Sequence, residues 1–298
     1  MSRRISHHGV VVGADGSPSS QVAVAWATRE AAMRHVPLTV VHVADSVSVA
    51  ASTLAWPAGQ VPEEVREIQE NETRHVIADA LSAALGAANG DRPEIDSELL
   101  HGKPVPALVD LSKDAQLVVI GRRGRTGRHS RLLGSVCAGL IHQAHCPVAV
   151  ISDEGLSSQS SARLPVLVGI DGSQASELAM AIAFDEASWR GVDLVVLRVL
   201  WEADASFFGM EWSALQSTAT KTLADSLTAW KGRYPEVNVQ VVVEFEHPAR
   251  RLLEQSEEAQ LVVVGNHGRG ALAEMLLGSV SSAVAQAAHT PVLVAHHH

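Results

Sequence analysis

Lysine is scarce in this chain of 298 residues: Lys103, Lys113, Lys221 and Lys231 are all it has. None stands in a Gly-Lys-Ser or Gly-Lys-Thr run, so a Walker A loop with its hydrolysis chemistry is excluded. Cysteine is nearly missing too. Cys137 and Cys146 form no Cys-x-x-Cys pair, which removes a disulfide framework and a zinc site and leaves two ordinary reduced thiols. No apolar run approaches the roughly 20 residues of a membrane-spanning helix, and the start, Met1 to His8, lacks the apolar core of a secretory signal. The expected location is the cytoplasm, without membrane insertion. A formal net charge of −10 argues against a nucleic-acid binder, which needs a basic surface to release counterions. Against that acidic background Arg122, Arg123, Arg125, Arg128 and Arg131 crowd into ten residues. The closing His296-His297-His298 reads as the remnant of a purification tag and is set aside.

What the chain does have is a repeat. Val11-Val12-Gly13-Ala14-Asp15-Gly16-Ser17 returns 156 residues later as Leu167-Val168-Gly169-Ile170-Asp171-Gly172-Ser173. Gln116 to Gly121 returns as Gln260 to Gly265, and Leu132-Leu133-Gly134-Ser135-Val136 as Leu276-Leu277-Gly278-Ser279-Val280, both at an offset of 144. The first copy therefore holds twelve more residues between its motifs, placed around Ala50 to Pro62. The division is 1–152 for the first domain, 153–164 for a Ser-rich linker, 165–295 for the second domain and 296–298 for the tag remnant.

Short Val-, Leu- and Ile-rich runs alternate with segments of helical period, the pattern of βαβ units and a parallel sheet. Strands are expected near 9–14, 38–44, 95–100, 116–121 and 147–151, and again near 165–170, 193–200, 237–245, 260–265 and 291–295. Helices are expected in the first copy near 18–35, 62–86, 104–113 and 134–145. Runs such as Val10-Val11-Val12 and Leu261 to Val264 are apolar throughout, so they belong at the centre of a sheet covered on both faces. The fold class is α/β: two tandem doubly wound domains, each of five parallel strands, for which the fold type implies the order 3-2-1-4-5. In that order strands one and four are neighbours at the winding reversal, where ligands of such sheets sit.

Two motifs end at that reversal. Gly121-x-x-Gly124, nine residues and Gly134-Ser135 open a helix after an apolar strand; Gly265-x-x-Gly268 with Gly278-Ser279 repeats the spacing. Glycines there let the backbone take positive φ and approach a ligand, and the helix N-terminus favours an anion, so phosphates of a nucleotide fit. The bland alternative is a turn plus a helix cap supplied by Ser135 and Ser279. Gly121, Gly124 and Gly127 follow the fourth strand and lack the Gly-x-Gly start of the dinucleotide fingerprint. Asp15 and Asp171 close the first strand of each copy, where a carboxylate either caps the next helix or faces a base, a ribose or a metal.

His42, His101, His142, His145 and His289 show no ligand spacing and read as packing or surface residues, as Trp26 and Trp189 read as packing the helix on the sheet. Trp201, Phe207, Phe208 and Trp212 form an aromatic stretch suited to covering a site or a partner surface.

With these motifs the chain resembles the universal stress proteins in their tandem-domain form, and the Gly-x2-Gly-x9-Gly-Ser pattern resembles that of the ATP-binding branch. The resemblance implies flavodoxin-like (Rossmann-like) domains, dimerisation through the last strand, and ATP as the ligand, with Mg²⁺ at its phosphates. It places Gly13, Asp15 and Val43 on the adenine and ribose side, with Gly121, Arg123, Gly124, Gly134, Ser135 and Val136 at the ribose and phosphates; Arg122, Arg125 and Gly127 are added as candidates because they stand in the same loop. In the second copy the matching positions are Gly169, Asp171, Val199, Gly265, His267, Gly268, Gly278, Ser279 and Val280, with Asn266 and Arg269 added as the loop positions aligned with Arg122 and Arg125. The loop of copy one is the more basic, which predicts tighter triphosphate binding there. The function implied is a nucleotide-dependent stress-response regulator acting through self-association, as a homodimer, or through a regulatory protein partner. A slow Mg²⁺-dependent ATPase and a nucleotide-free scaffold are the alternatives.

Overall fold

The computed structural model describes residues 8–44, 63–88, 90, 92–125, 133–153, 163–200, 212–268 and 278–296. They group into two compact units, the first drawn from the chain up to Cys146 and the second essentially from Pro147 onward.

The first unit contains β1 (Val10–Gly13), α1 (Pro18–Arg34), β2 (Leu38–Ala44), α2 (Glu63–Ala87), β3 (Ile95–His101), α3 (Pro104–Leu111), β4 (Leu117–Gly121) and α4 (Ser135–Gln143). Its strands are parallel in the order β3-β2-β1-β4. Val10, Val11 and Val12 have no exposed surface, as their unbroken apolar run requires of a strand covered on both faces. Helix α1 starts where Ser17, in extended conformation, accepts the N–H of Ser20, with Pro18 at its first turn. It ends at His35, whose φ of 53° is the left-handed cap more often given to glycine.

The second unit contains β5 (Val148–Ile151), β6 (Val166–Ile170), α5 (Gln174–Arg190), β7 (Leu194–Leu200), α6 (Trp212–Ser226), α7 (Thr228–Arg233), β8 (Val239–Phe245), α8 (Pro248–Ser256), β9 (Leu261–Gly265), α9 (Ser279–Ala287) and β10 (Val292–Ala295). Its parallel order, β8-β7-β6-β9-β10, is the 3-2-1-4-5 winding expected of the fold type. Strand β5, counted with the first domain in the sequence division, groups here because it pairs antiparallel with β10, Ala149 opposite Leu293. His296 follows β10 and is buried, at 5% exposure.

Each unit holds the same buried ion pair at the end of its first helix. Arg34 meets Glu30 at 2.7 Å and Arg190 meets Glu186 at 2.9 Å, with both glutamates at 1% exposure or less. Trp26 packs as expected, at 5% exposure. Trp189 does not: it stands 43% exposed, because its helix position turns away from the sheet. Phe184 of α5 stacks on both Trp230 and Tyr234 at centroid distances of 5.3 Å each, and those two rings stack on each other at 6.3 Å. Trp201, Phe207 and Phe208, and the side chain of Trp212, lie outside the described residues.

Candidate functional site

The two motifs of the first unit are tied together by one side chain. Asp15 follows β1 and accepts the N–H of Ser17 on Oδ1 at 2.9 Å and the N–H of Arg125 on Oδ2 at 3.2 Å. The cap of α1 is Ser17, so the helix-cap reading of Asp15 is displaced: its carboxylate cross-links the β1 loop to the β4 loop. Hydroxyls add to the same seam, since Ser17 donates to the Arg123 carbonyl at 3.3 Å and Ser19 donates to that oxygen as well.

The glycines act by proximity. At Gly121, Gly124 and Gly134 the backbone is not left-handed; positive φ in this region belongs to Gly16, at 78°, and to Gly172 in the second copy, at 83°. That corrects the expectation from the motif. A Cβ on Gly124 would stand 2.9 Å from Asp15 Oδ2, and one on Gly268 would stand 2.8 Å from Asp171 Oδ2. A Cβ on Gly121 would come within 2.8 Å of the Ser19 carbonyl carbon, so this glycine lets α1 lie against β4. Ser135 is likewise not the cap. Gly134 holds that position with its N–H on the Arg122 carbonyl at 3.0 Å, and no side chain caps α4. The first-turn N–H groups of Ser135 and Val136 thus have neither a helical nor a side-chain cap partner, which leaves them for a ligand.

These features open on a cavity of about 1250 Å³ at the carboxyl ends of the first unit's strands. Gly13, Asp15, Val43, Gly121, Arg123, Gly124, Arg125, Gly134, Ser135 and Val136 all line it, so the structure brings together most of the residues taken from the motifs. Arg122 is different: it lies beneath the loop at 3% exposure and outside the lining. Its charge is felt by Cys137, whose thiol burial pushes up to about 12 while Arg122 opposes the rise. The Arg125 guanidinium meets Glu72 of α2 at 2.5 Å with both partners half exposed, a pair of little net energy. Gly127, Arg128 and Arg131 lie outside the described residues.

Sequence reasoning missed one wall and one edge of the cavity. The wall is α2, which brings Arg66, Glu72, Thr73 and Arg74; helical periodicity gives no sign of which face leans over the strand ends. The edge is His42, Leu99, His101 and Lys103, where β2, β3 and the start of α3 come together. Position at a strand's carboxyl end was the available signal for His42.

The second unit repeats the seam. Asp171 Oδ1 accepts the Ser173 N–H at 2.9 Å, the Ser173 hydroxyl donates to the His267 carbonyl at 3.3 Å, and the Gly278 N–H meets the Asn266 carbonyl at 2.9 Å. Ser173, not Asp171, caps α5, and Gly278, not Ser279, caps α9. Gly265 packs on the Ala175 backbone as Gly121 does on Ser19, and Gly169 comes close to Leu252, its added Cβ standing 2.9 Å from a methyl carbon. Val199 sits near the end of β7 and Val280 in the first turn of α9. The differences are chemical. Asn266, at 4% exposure, replaces Arg122; His267 replaces Arg123; Ser281 replaces Cys137 and donates to the Gly278 carbonyl at 3.0 Å. Arg269, and with it Leu272, Glu274 and Met275, lies outside the described residues. Among the described residues no group of three or more His, Cys, Asp or Glu side chains is placed to hold a metal ion, and no helix is long and apolar enough to cross a membrane.

A family model described as the universal stress protein family matches residues 7–152 and 163–296. A universal stress protein of Mycobacterium tuberculosis is 48% identical over 99% of this chain and 98% of its own length. One from Mycolicibacterium smegmatis is 44% identical over 99% of each chain. Among solved structures, a universal stress protein from Archaeoglobus fulgidus superimposes with a TM-score of 0.66 at 20% identity, covering 96% of both chains, which speaks for the fold.

Proposed function

The chain belongs to the universal stress protein family, and on that premise we propose that it binds ATP, with Mg²⁺ carried on the phosphates, and passes its nucleotide state on through self-association or a regulatory protein partner. The observation that carries this reading is the Asp15 seam. It holds the uncapped N-terminus of α4, the Gly124 backbone and the strand ends at one cavity mouth, an arrangement a simple turn would not need.

The residues fit the ligand. Arg123 and the first-turn N–H groups of α4 suit phosphate oxygens, and the open backbone at Gly124 admits close approach. Val41, Val43, Ala44 and Leu99 offer apolar surface to a base at the other end. Each Asp15 oxygen accepts a backbone N–H, so the carboxylate fixes the loop, and a Mg²⁺ brought in with the nucleotide would be held chiefly by the phosphates. Arg123 against His267 favours the first copy, by about tenfold for one charge-assisted hydrogen bond.

The test is mass spectrometry of the small molecules released when freshly purified protein is denatured, with titration of the emptied protein and light scattering with and without ATP. The expected result is ATP at one or two per chain and a homodimer population that responds to it. Recovery of no adenine nucleotide together with no binding on titration refutes the reading; equal affinities in single-copy variants refute the asymmetry.

A further inference from the structure

Histidine 42 stands at the β2 edge of the cavity with one ring nitrogen already committed. Its Nδ1 lies 2.7 Å from the carbonyl oxygen of Ala14. A carbonyl can only accept, so Nδ1 is the nitrogen that carries hydrogen, and in the neutral ring Nε2 is left with a lone pair and no proton. The ring borders the cavity on β2, beside Val41 and Val43 and paired with Leu99 of β3, and β1 lies between β2 and the β4 strand that leads into the loop suited to phosphates. A nucleotide laid with its phosphates at Ser135 therefore brings its base to this end, where Nε2 is an acceptor waiting for a donor.

We propose that His42 selects the base of the nucleotide bound by the first copy, its Nε2 accepting a hydrogen bond from the exocyclic amino group at position 6 of adenine. The proposal rests on the nucleotide-binding reading and deepens it. The second copy supplies an internal contrast. In β7 the equivalent register position, beside Ile170 where β2 has its place beside Ala14, is Arg198, a side chain that can only donate. A guanidinium at that position would offer a 6-amino group no acceptor, so the preference is assigned to the first copy alone.

The experiment compares ATP with purine riboside triphosphate, which differs from ATP only in carrying hydrogen in place of the 6-amino group. It uses the full chain carrying Gly268→Leu, whose new side chain displaces Asp171 and closes the second-copy site. With His42 intact, the analogue binds about five- to tenfold more weakly than ATP, the value of one hydrogen bond. In His42→Phe and His42→Arg the ratio falls to within about twofold of one, while the phosphate end keeps ATP binding measurable. A ratio near one with His42 in place overturns the proposal without recourse to any variant, and so does an unchanged ratio in both variants. Absence of all nucleotide binding in the unaltered protein refutes the nucleotide reading and this inference with it.

Discussion

Two glycines of the same motif should fail in different ways when each becomes alanine. At Gly121 the added Cβ meets the Ser19 backbone, with the carbonyl carbon at 2.8 Å and the oxygen at 3.0 Å, and backbone at the start of α1 cannot step aside without moving the helix off β4. Overpacking of this kind costs about 2–3 kcal/mol, a fall of roughly 6–9 °C in the melting temperature of a domain this size. At Gly124 the atom met is Asp15 Oδ2 at 2.9 Å, the far end of a side chain that can rotate. The stability loss there is about 0.5–1 kcal/mol, the worth of the weakened bond to the Arg125 N–H. The rotation nevertheless unpins the loop, so ATP affinity should drop about tenfold or more. Calorimetry of the full chain gives the first quantity and isothermal titration the second. If Gly121→Ala melts within 2 °C of the parent, or if Gly124→Ala loses as much stability as Gly121→Ala, the division of the motif into a packing glycine and a site glycine is wrong.

Three further outcomes follow from the same geometry. Asp15→Asn should speed hydrogen exchange at the Arg125 amide about tenfold while leaving the first-turn amides of α1 unchanged, since Ser17 caps that helix; faster exchange in the α1 turn instead would restore the cap reading. Both thiols should resist a disulfide reagent at pH 8 until the protein unfolds, because burial pushes Cys137 and Cys146 up to about 12 and leaves a thiolate fraction on the order of 10⁻⁴; rapid labelling of either in the native protein would contradict this. Tyr234 is held up at about 12, first by desolvation and then by its hydrogen bond to Asp185 at 2.5 Å. The raised value means the folded state keeps a proton that the unfolded state releases near pH 10, so this stabilisation is complete below about pH 10 and is lost as pH rises toward 12. Denaturation midpoints of Tyr234→Phe should accordingly be flatter than those of the parent across that interval.

The central strands were legible because buried parallel strands need unbroken apolar runs, as in Val10 to Val12 or Leu261 to Val264, whereas their order came from the fold type that such alternation implies. Most of the site was legible for a related reason: Gly121, Gly124 and Gly134 are spaced to serve one loop, and duplication displays the spacing twice. What stayed hidden depends on contacts between distant segments. Nothing local tells Asp15 from Ser17 as the capping residue, because both types cap and they stand two positions apart. The depth of Arg122 could not be told from that of Arg123, because two adjacent arginines after a strand carry no local mark of which one is buried and which lines the cavity. The antiparallel seat of β5 cannot be read from Val148 to Ile151, since a short apolar strand carries no mark of its partner's direction.

That seat also bears on how the molecule can be taken apart. The polar stretch around residues 153–164 invites a cut there, and a fragment beginning at Pro165 would look complete on paper. It would arrive with the outer ladder of β10 bare, a row of unsatisfied N–H and C=O groups beside Val292, Leu293 and Val294. Such a fragment would recruit other copies of itself to fill the row, and an oligomer seen in it would report on the place of the scissors. A fragment that starts ahead of Val148 carries its own cover for that row.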